Sequence, residues 1–500
     1  MRKSLFVALA ALLLLASCHK ESSEKKILEF KFASPEVKAV ITENAKTIVA
    51  VVPFGTDVTA LVPIITVSDK ATVSPASGMP VNFTNPVVFT VTAEDGSTTT
   101  YVATVTVDQN GGGGGGGGGT GDPTTVSGSI SANTTWPDLG LDVDYIIEGW
   151  FYIEGNALLT IEPGVTIMFT GENGRLIVEQ DAGLRMVGTP DKHIKLVNPT
   201  NNQNHGAWSD VLVYSNRADN KFEYVEFING GSDNDVILVD GDAKLSVKNC
   251  IIDGSLSNGI DVRGTLTAFE NNTIKNCENY PVIMNQPIQI NQLGTGNTYV
   301  NNAFNMFYLD YYWLDNENVH TFTFANHGIP YYLVDGINVD ENSIMIAEAG
   351  CEFVLPYDKH FVVNDGCLIQ ANGTASQPVV FRGETDEAGS WAGVLIHTER
   401  ATNGGSNLTN CVIQGAGINE DGCLLLDYYT RLTIENLTVR NSATYGLNID
   451  IPMEWNDETQ QYEYDFANYH VNATGITFSN CASGNIWERN KGVVLSEWPN

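Results

Sequence analysis

LLTIEPGVTIMF, residues 158–169, returns as SIMIAEAGCEFV, residues 343–354, and this echo decides the architecture. Ile161 falls opposite Ile346, 185 positions on (346 − 161), and Gly188-Thr189 falls opposite Gly373-Thr374 at the same distance. Ile194 and Leu196 match Val379 and Phe381 in that register, and Trp208 matches Trp391 after a slip of two. A register shared over so many positions marks an internal duplication. Within each copy a shorter period runs: Val225, Val247 and Phe269 are spaced by 22, and similar units recur at residues 408–413, 432–441 and 476–481. Each unit carries short strands of alternating apolar and polar residues, separated by Gly, Asn and Asp. One such unit cannot bury its apolar face, whereas stacked units share a continuous core. The pattern therefore predicts a parallel β-helix over residues 124–500. The pairs Asn249-Cys250, Asn276-Cys277, Asn410-Cys411 and Asn480-Cys481 predict a ladder of stacked asparagines with the cysteines inside.

The bulk numbers agree with that architecture. A chain of 500 residues is too long for one compact core, and 48 glycines with 17% charged residues suit an all-β protein rich in tight turns. The formal net charge is −33, becoming −35 if the leader carrying Arg2 and Lys3 is removed. Such a surface repels phosphate backbones and excludes nucleic acid as a partner, while leaving Ca²⁺ as a possible ligand. Seven cysteines follow Cys18, an odd number that excludes a complete disulfide framework, and no CxxC spacing accompanies them. They read as small buried residues.

The first residues read as a secretion signal: Arg2 and Lys3 precede an apolar run from Leu5 to Leu15, too short to span a bilayer, and then Ala16-Ser17-Cys18. The Leu-Ala-Ser-Cys ending resembles a bacterial lipobox, which implies removal of residues 1–17 and lipidation of Cys18, anchoring the chain to the outer membrane. The polar stretch 18–26 reads as a disordered tether, and its charges resemble the surface-export signals of glycan-foraging Gram-negative lipoproteins. Residues 27–107 carry β-branched runs at 46–52, 87–92 and 101–107, separated by Pro and Gly turn signals, and predict a small β-sandwich. The stretch FTNPVVFTVTAEDGSTTTYVATVTV resembles the Ig-like module that follows the anchor in surface lipoproteins, implying a spacer with no active site. Residues 108–123 contain the unbroken run Gly111 to Gly119, a flexible linker without the Lys-Ser/Thr ending of a phosphate loop. Beyond it, the unit containing LTIEPGVTI, a later Gly-Thr and a Trp resembles the repeat of secreted right-handed β-helix proteins.

Enzymes on that fold mostly cleave acidic polysaccharides. The Asp-Asp and Gly-His-Gly elements of β-helix polygalacturonases and the Arg-x-Pro-x-x-Arg element of pectate lyases are absent. No catalytic residue is therefore assigned. Asp233, Asp235, Asp240 and Asp242 form an acidic loop with the oxygen ligands Ca²⁺ takes, although a solvated turn explains it as well. Asp261-Val262-Arg263 sets an acid and a base on one strand face, consistent with a surface ion pair. Asp191-Lys192-His193 and Asp358-Lys359-His360 look alike but occupy different places in the duplicated unit, so the likeness reads as coincidence. Residues 304–332 read as an aromatic insertion between the two copies. There Tyr308, Tyr311, Tyr312 and Trp313 interleave with Asp310, as sugar binding requires: rings for C–H faces, carboxylates for hydroxyls. A second excursion, residues 452–469, adds Trp455 and Tyr462. The sequence thus favours a non-catalytic surface lipoprotein that binds a polysaccharide or another surface ligand. The alternative is a divergent β-helix polysaccharide lyase or glycoside hydrolase.

Overall fold

The computed structural model describes residues 22–499 apart from 35, 53–55, 108–121, 199–203, 234, 316, 318–319 and 398–404. Cys18 and the glycine run lie outside the described residues. The chain divides into two compact units, Met1–Gly116 and Gly117–Asn500.

In the first unit, Glu36–Lys38, Ile27–Ala33 and Pro63–Val67 form one sheet, and Val40–Thr42, Thr47–Val52, Thr98–Val107, Val87–Thr92 and Thr72–Ser74 form the other. Strand alternation sends Phe89 and Val91 inward while Val88 stays exposed. Phe30, Phe32, Phe83 and Phe89 meet between the sheets, with Phe30 and Phe89 edge-to-face at 5.3 Å.

The second unit is a β-solenoid in which almost every pairing is parallel. Each coil contributes a strand to three faces, here A, B and C. In the first half, face A comprises Thr134–Trp136, Leu158–Ile161, Gly183–Val187, Lys221–Glu223, Lys244–Lys248 and Thr265–Glu270. The inward column Phe222, Val247, Phe269 stacks on this face, whereas Val225 pairs with Ile194 on face B. The even 22-residue spacing read from the sequence thus mixed two faces, because one coil is three residues longer than the next.

The duplication is real in the strands, but its register needs one correction. Ile161 is buried, whereas Ile346 lies between the fully buried Met345 and Ala347 and points outward. Side-chain alternation requires an offset of 186 here, which superposes Gly164 on Gly350, both at positive φ (96° and 84°). The offset of 185 holds at the Gly-Thr turns. Thr189 and Lys192 exchange backbone bonds at 3.0 and 3.1 Å, and Thr374 and Gln377 do the same at 2.9 and 3.2 Å. A Cβ on Gly188 would sit 2.6 Å from the Tyr224 carbonyl oxygen, and one on Gly373 would meet the Asn410 oxygen and, at 2.8 Å, the Val379 nitrogen. The Tyr224 and Asn410 oxygens are backbone of the next coil and the Val379 nitrogen is backbone across the same turn, so none can swing away. Gly373→Ala should therefore cost about 2 kcal/mol, read as a drop in the thermal midpoint; an unchanged midpoint would mean that the coils have slack.

The asparagines do not form one ladder. Asn249 and Asn410 turn the chain from face A to face B, whereas Asn276 and Asn480 turn it from B to C. All four have positive φ between 49° and 57°, a conformation that Asn tolerates better than most residues. Two separate rungs result: Asn436 donates to the Asn410 amide oxygen at 3.2 Å, and Asn480 to that of Asn441 at 3.0 Å. Six of the seven described cysteines are buried.

Residues 304–332 are a seam between the halves, built as part of the coils and not as an insertion outside them. Face C of the first half ends in Phe307–Leu309, which pairs with Tyr331–Leu333, the start of face B in the second half. Face B of the first half stops at Thr298–Val300, and a new face C starts at Trp313–Leu314. On face A a 3₁₀ turn, Pro287–Gln292, replaces a strand, and its side chains do a strand's work. Gln292 accepts from Leu266 N at 2.8 Å, and Asn291 bonds Thr321 O and Thr323 N at 2.8 and 2.9 Å. Large rings fill the cross-section where the sheets change: Phe307 lies 5.0 Å from Tyr299 and 5.1 Å from Tyr331, which meets Phe324 at 5.1 Å.

Candidate functional site

The seam leaves two sets of outward rings beside one corner. On one side, the outward column of the sheet runs Asp261, Ile283, Tyr308, Tyr332. Tyr280 stacks on Phe304 at 5.1 Å and lies 4.8 Å from Tyr308 and 6.1 Å from Tyr332. The Tyr332 hydroxyl donates to Glu384 at 2.6 Å. Burial, and then the charges of Asp310 and Asp335, push the Tyr308 phenol pKa up. On the other side, Tyr312 and Trp313 begin the new face, edge-to-face at 5.0 Å and 40% and 48% exposed.

Beside Tyr312 lies an open hollow of about 410 Å³, lined by Tyr312, Asp335, Asp358, Lys359, His360, Val362 and Leu395. Its floor follows from strand alternation: Val362 pairs with Leu395 on the outward side of face C, while Phe361 and Val363 fill the core. Lys359 reaches Asp335 at 3.4 Å. His360 Nε2 is buried without a hydrogen-bond partner, its nearest carboxylate being Asp421 at 4.0 Å. Burial lowers the His360 pKa, against the pull of Asp421 and Asp358, so the ring is neutral near pH 7. An apolar floor, exposed rings, carboxylates and a neutral imidazole suit a polyhydroxylated ligand.

Of the residues singled out in the sequence, Tyr308, Asp310, Tyr312 and Trp313 gather around this corner. Tyr311 does not, being buried in the core cluster with its hydroxyl unpartnered. Trp455 and Tyr462 lie on the antiparallel hairpin Met453–Asn456/Gln461–Tyr464, further along the solenoid, where they face each other at 5.2 Å and stay exposed. The four aspartates of the acidic loop are not brought together. Asp233 and Asp235 precede the strand Asp235–Val239 or open it, and Asp240 and Asp242 follow it, roughly 16 Å away. Asp233 bonds Arg175 at 2.6 Å and Asp235 accepts from Asn258 at 2.9 Å. Among the described residues, no group of three His, Cys, Asp or Glu is placed to hold a metal ion.

Asp335, Asp358, Lys359, His360 and Tyr280 were missed. The Asp-Lys-His triplet was visible at 358–360, but its twin at 191–193 made it look incidental. The twins differ in surroundings: Lys192 bonds Asp138 at 3.1 Å and His193 bonds Glu226 at 2.8 Å, whereas His360 opens on the hollow.

A second polar strip lies on the first half's face C. Arg175 grips Asp210 through two bonds, 2.7 and 2.6 Å, and packs over Trp150 at 5.3 Å. Asp261 takes Arg263 at 3.0 Å and Asn285 at 2.6 Å. Burial, reinforced by Asp261, pushes the Asp235 carboxyl up to about 7, and burial also raises Asp261 and Asp210.

Comparison with known proteins places the first unit best. The family model described as SGBP, N-terminal matches residues 27–105, the span of the two-sheet sandwich. A crystal structure of a "putative glycoside hydrolase" from Bacteroides thetaiotaomicron is 34% identical over 17% of this chain and 26% of its own, with a TM-score of 0.16. A "putative secreted protein" from Bacteroides fragilis is 20% identical over 17% of this chain and 95% of its own, with a TM-score of 0.14. The chain thus spans about a quarter of the first of these proteins. No curated protein matches it. The sandwich is therefore similar to the N-terminal module of a family of glycan-binding surface proteins.

Proposed function

We propose that the protein is a non-catalytic, cell-surface glycan-binding protein whose solenoid carries the binding site. The observation that carries this reading is the exposed Tyr312–Trp313 pair beside the acid-rimmed hollow. Two large rings left in water at a sheet's first strand are costly unless something covers them, and a sugar's C–H face is a suitable cover. The match of residues 27–105 supports the same class of ligand. In this reading residues 1–17 are cleaved, Cys18 is lipidated at the outer membrane, and residues 27–107 are an Ig-like spacer. Residues 108–123 are then a tether that holds residues 124–500, a right-handed parallel β-helix, away from the surface.

Affinity electrophoresis through gels containing plant, host and microbial polysaccharides tests it. At least one polymer should retard the protein without being degraded. Trp313→Ala should weaken that interaction by more than tenfold, about 1.4 kcal/mol or more, and leave the melting temperature unchanged because the ring is half exposed. Full retention by Trp313→Ala together with Tyr312→Ala would move the site elsewhere.

A second reading, a divergent β-helix lyase or glycosidase, draws on the strip around Asp235. A buried carboxyl titrating near 7 beside Asp261 and Arg263 has the poise of a general acid. Clearing of polymer around the band, abolished by Asp235→Asn, would favour it.

A further inference from the structure

Resting on the glycan-binding reading, we infer that the hollow accepts a glycan without negative charge, neutral or amino-substituted, and rejects uronic-acid and sulfated chains. Around the corner the cation is already paired, whereas carboxylates are left over. Among the described residues lining the hollow, Lys359 is the single permanent cation, and its ammonium already lies 3.4 Å from Asp335. His360, the other basic group there, is neutral because it is buried. The neighbouring phenol of Tyr332 already donates its hydrogen bond to Glu384. An incoming carboxylate or sulfate would therefore find no free cation to pair with.

The acceptors are in the opposite state. Asp358 is exposed and has no ion-pair partner among the described residues, and Asp335 shares a single one. Asp310, whose charge acts on Tyr308, and Asp421, 4.0 Å from His360, add further negative charge nearby. Carboxylates accept from hydroxyls or ammonium groups, and they repel anions across a few ångströms. The aromatic pair adds stacking that is indifferent to charge. Neutral and amino sugars meet each of these groups, whereas an anionic sugar meets only the rings.

The test runs the purified full chain through native gels containing a neutral glucan, mannan or xylan, glycol chitosan, polygalacturonate, alginate or chondroitin sulfate, each with EDTA and with millimolar Ca²⁺. Expected is retardation by at least one neutral or amino polymer that disappears in Trp313→Ala, with anionic polymers binding at least tenfold more weakly. Replacing both Asp335 and Asp358 by Lys should turn the preference toward polygalacturonate. Retardation by an anionic polymer that depends on Trp313, with or without Ca²⁺, would overturn the inference and leave the protein a glycan binder. Retardation by a neutral polymer that survives Trp313→Ala together with Tyr312→Ala would likewise overturn it, since the sugar then binds elsewhere. No retardation in any gel would bring down the glycan-binding reading and this inference together.

Discussion

Trp391→Ala is expected to lower the stability of the solenoid by about 3–5 kcal/mol. The indole is fully buried, and its Nε1–H donates to the Gln414 carbonyl at 2.8 Å. Gly383 is pressed against it so closely that an added Cβ would lie 3.0 Å from Cδ1. Removing the ring leaves a large cavity and an unpaired carbonyl in a stack whose strands are held on both sides, so collapse cannot refill the space. Trp208 repeats the arrangement in the first half: its Nε1–H donates to Ile228 O at 2.7 Å, Phe169 stacks on it at 4.6 Å, and Gly230 makes room. Urea unfolding followed by circular dichroism would read the loss, with the sandwich unit as an unaffected reference. A shift below about 1 kcal/mol would show that the indole is replaceable packing. Trp391→Phe should cost less, because it keeps most of the volume and forfeits the hydrogen bond.

Asp235→Asn is expected to stabilise the protein above neutral pH by about 2 kcal/mol and to change little near pH 4. The carboxyl is 4% exposed, and burial, with Asp261 next to it, raises its pKa to about 7 in the fold against about 3.9 in the unfolded chain. Between those values the folded state holds the proton that the unfolded state has released, so stability falls as pH rises from about 4 to about 7. Above that the penalty is constant. An amide at 235 carries no charge to desolvate and still accepts from Asn258, which now bonds the carboxylate at 2.9 Å. Melting temperatures of both proteins across pH 4–8 would check this. A difference independent of pH would mean that Asp235 stays ionised throughout. Asp261 shifts in the same direction, so some slope should persist in the variant.

Much of the fold was legible because period and alternation are local properties. The runs at 46–52, 87–92 and 101–107 are strands or parts of strands, and among the described residues of the second unit almost all the alternating strands pair in parallel. What alternation could not show is which of three faces a strand joins. Val225 and Val247 look equivalent in a 22-residue ruler, yet coil lengths vary in the turns, and one residue more or less turns a side chain from core to solvent. The shift from 185 to 186 at Ile346 is that effect.

For the site, the sequence by itself determined that aromatic and acidic residues crowd residues 304–332, and the type of ligand such a mixture suits. Only the tertiary structure decided which of them are available. Phe307, Tyr311, Phe322, Phe324 and Tyr331 fill the seam, while Tyr308, Tyr312 and Trp313 face outward. The hollow's other walls come from residues 335, 358–360, 362 and 395, one to three coils away in sequence. They become neighbours because parallel stacking sets residues some 25 positions apart at strand spacing, about 4.8 Å. A linear reading has no means of measuring that distance where the faces change partners.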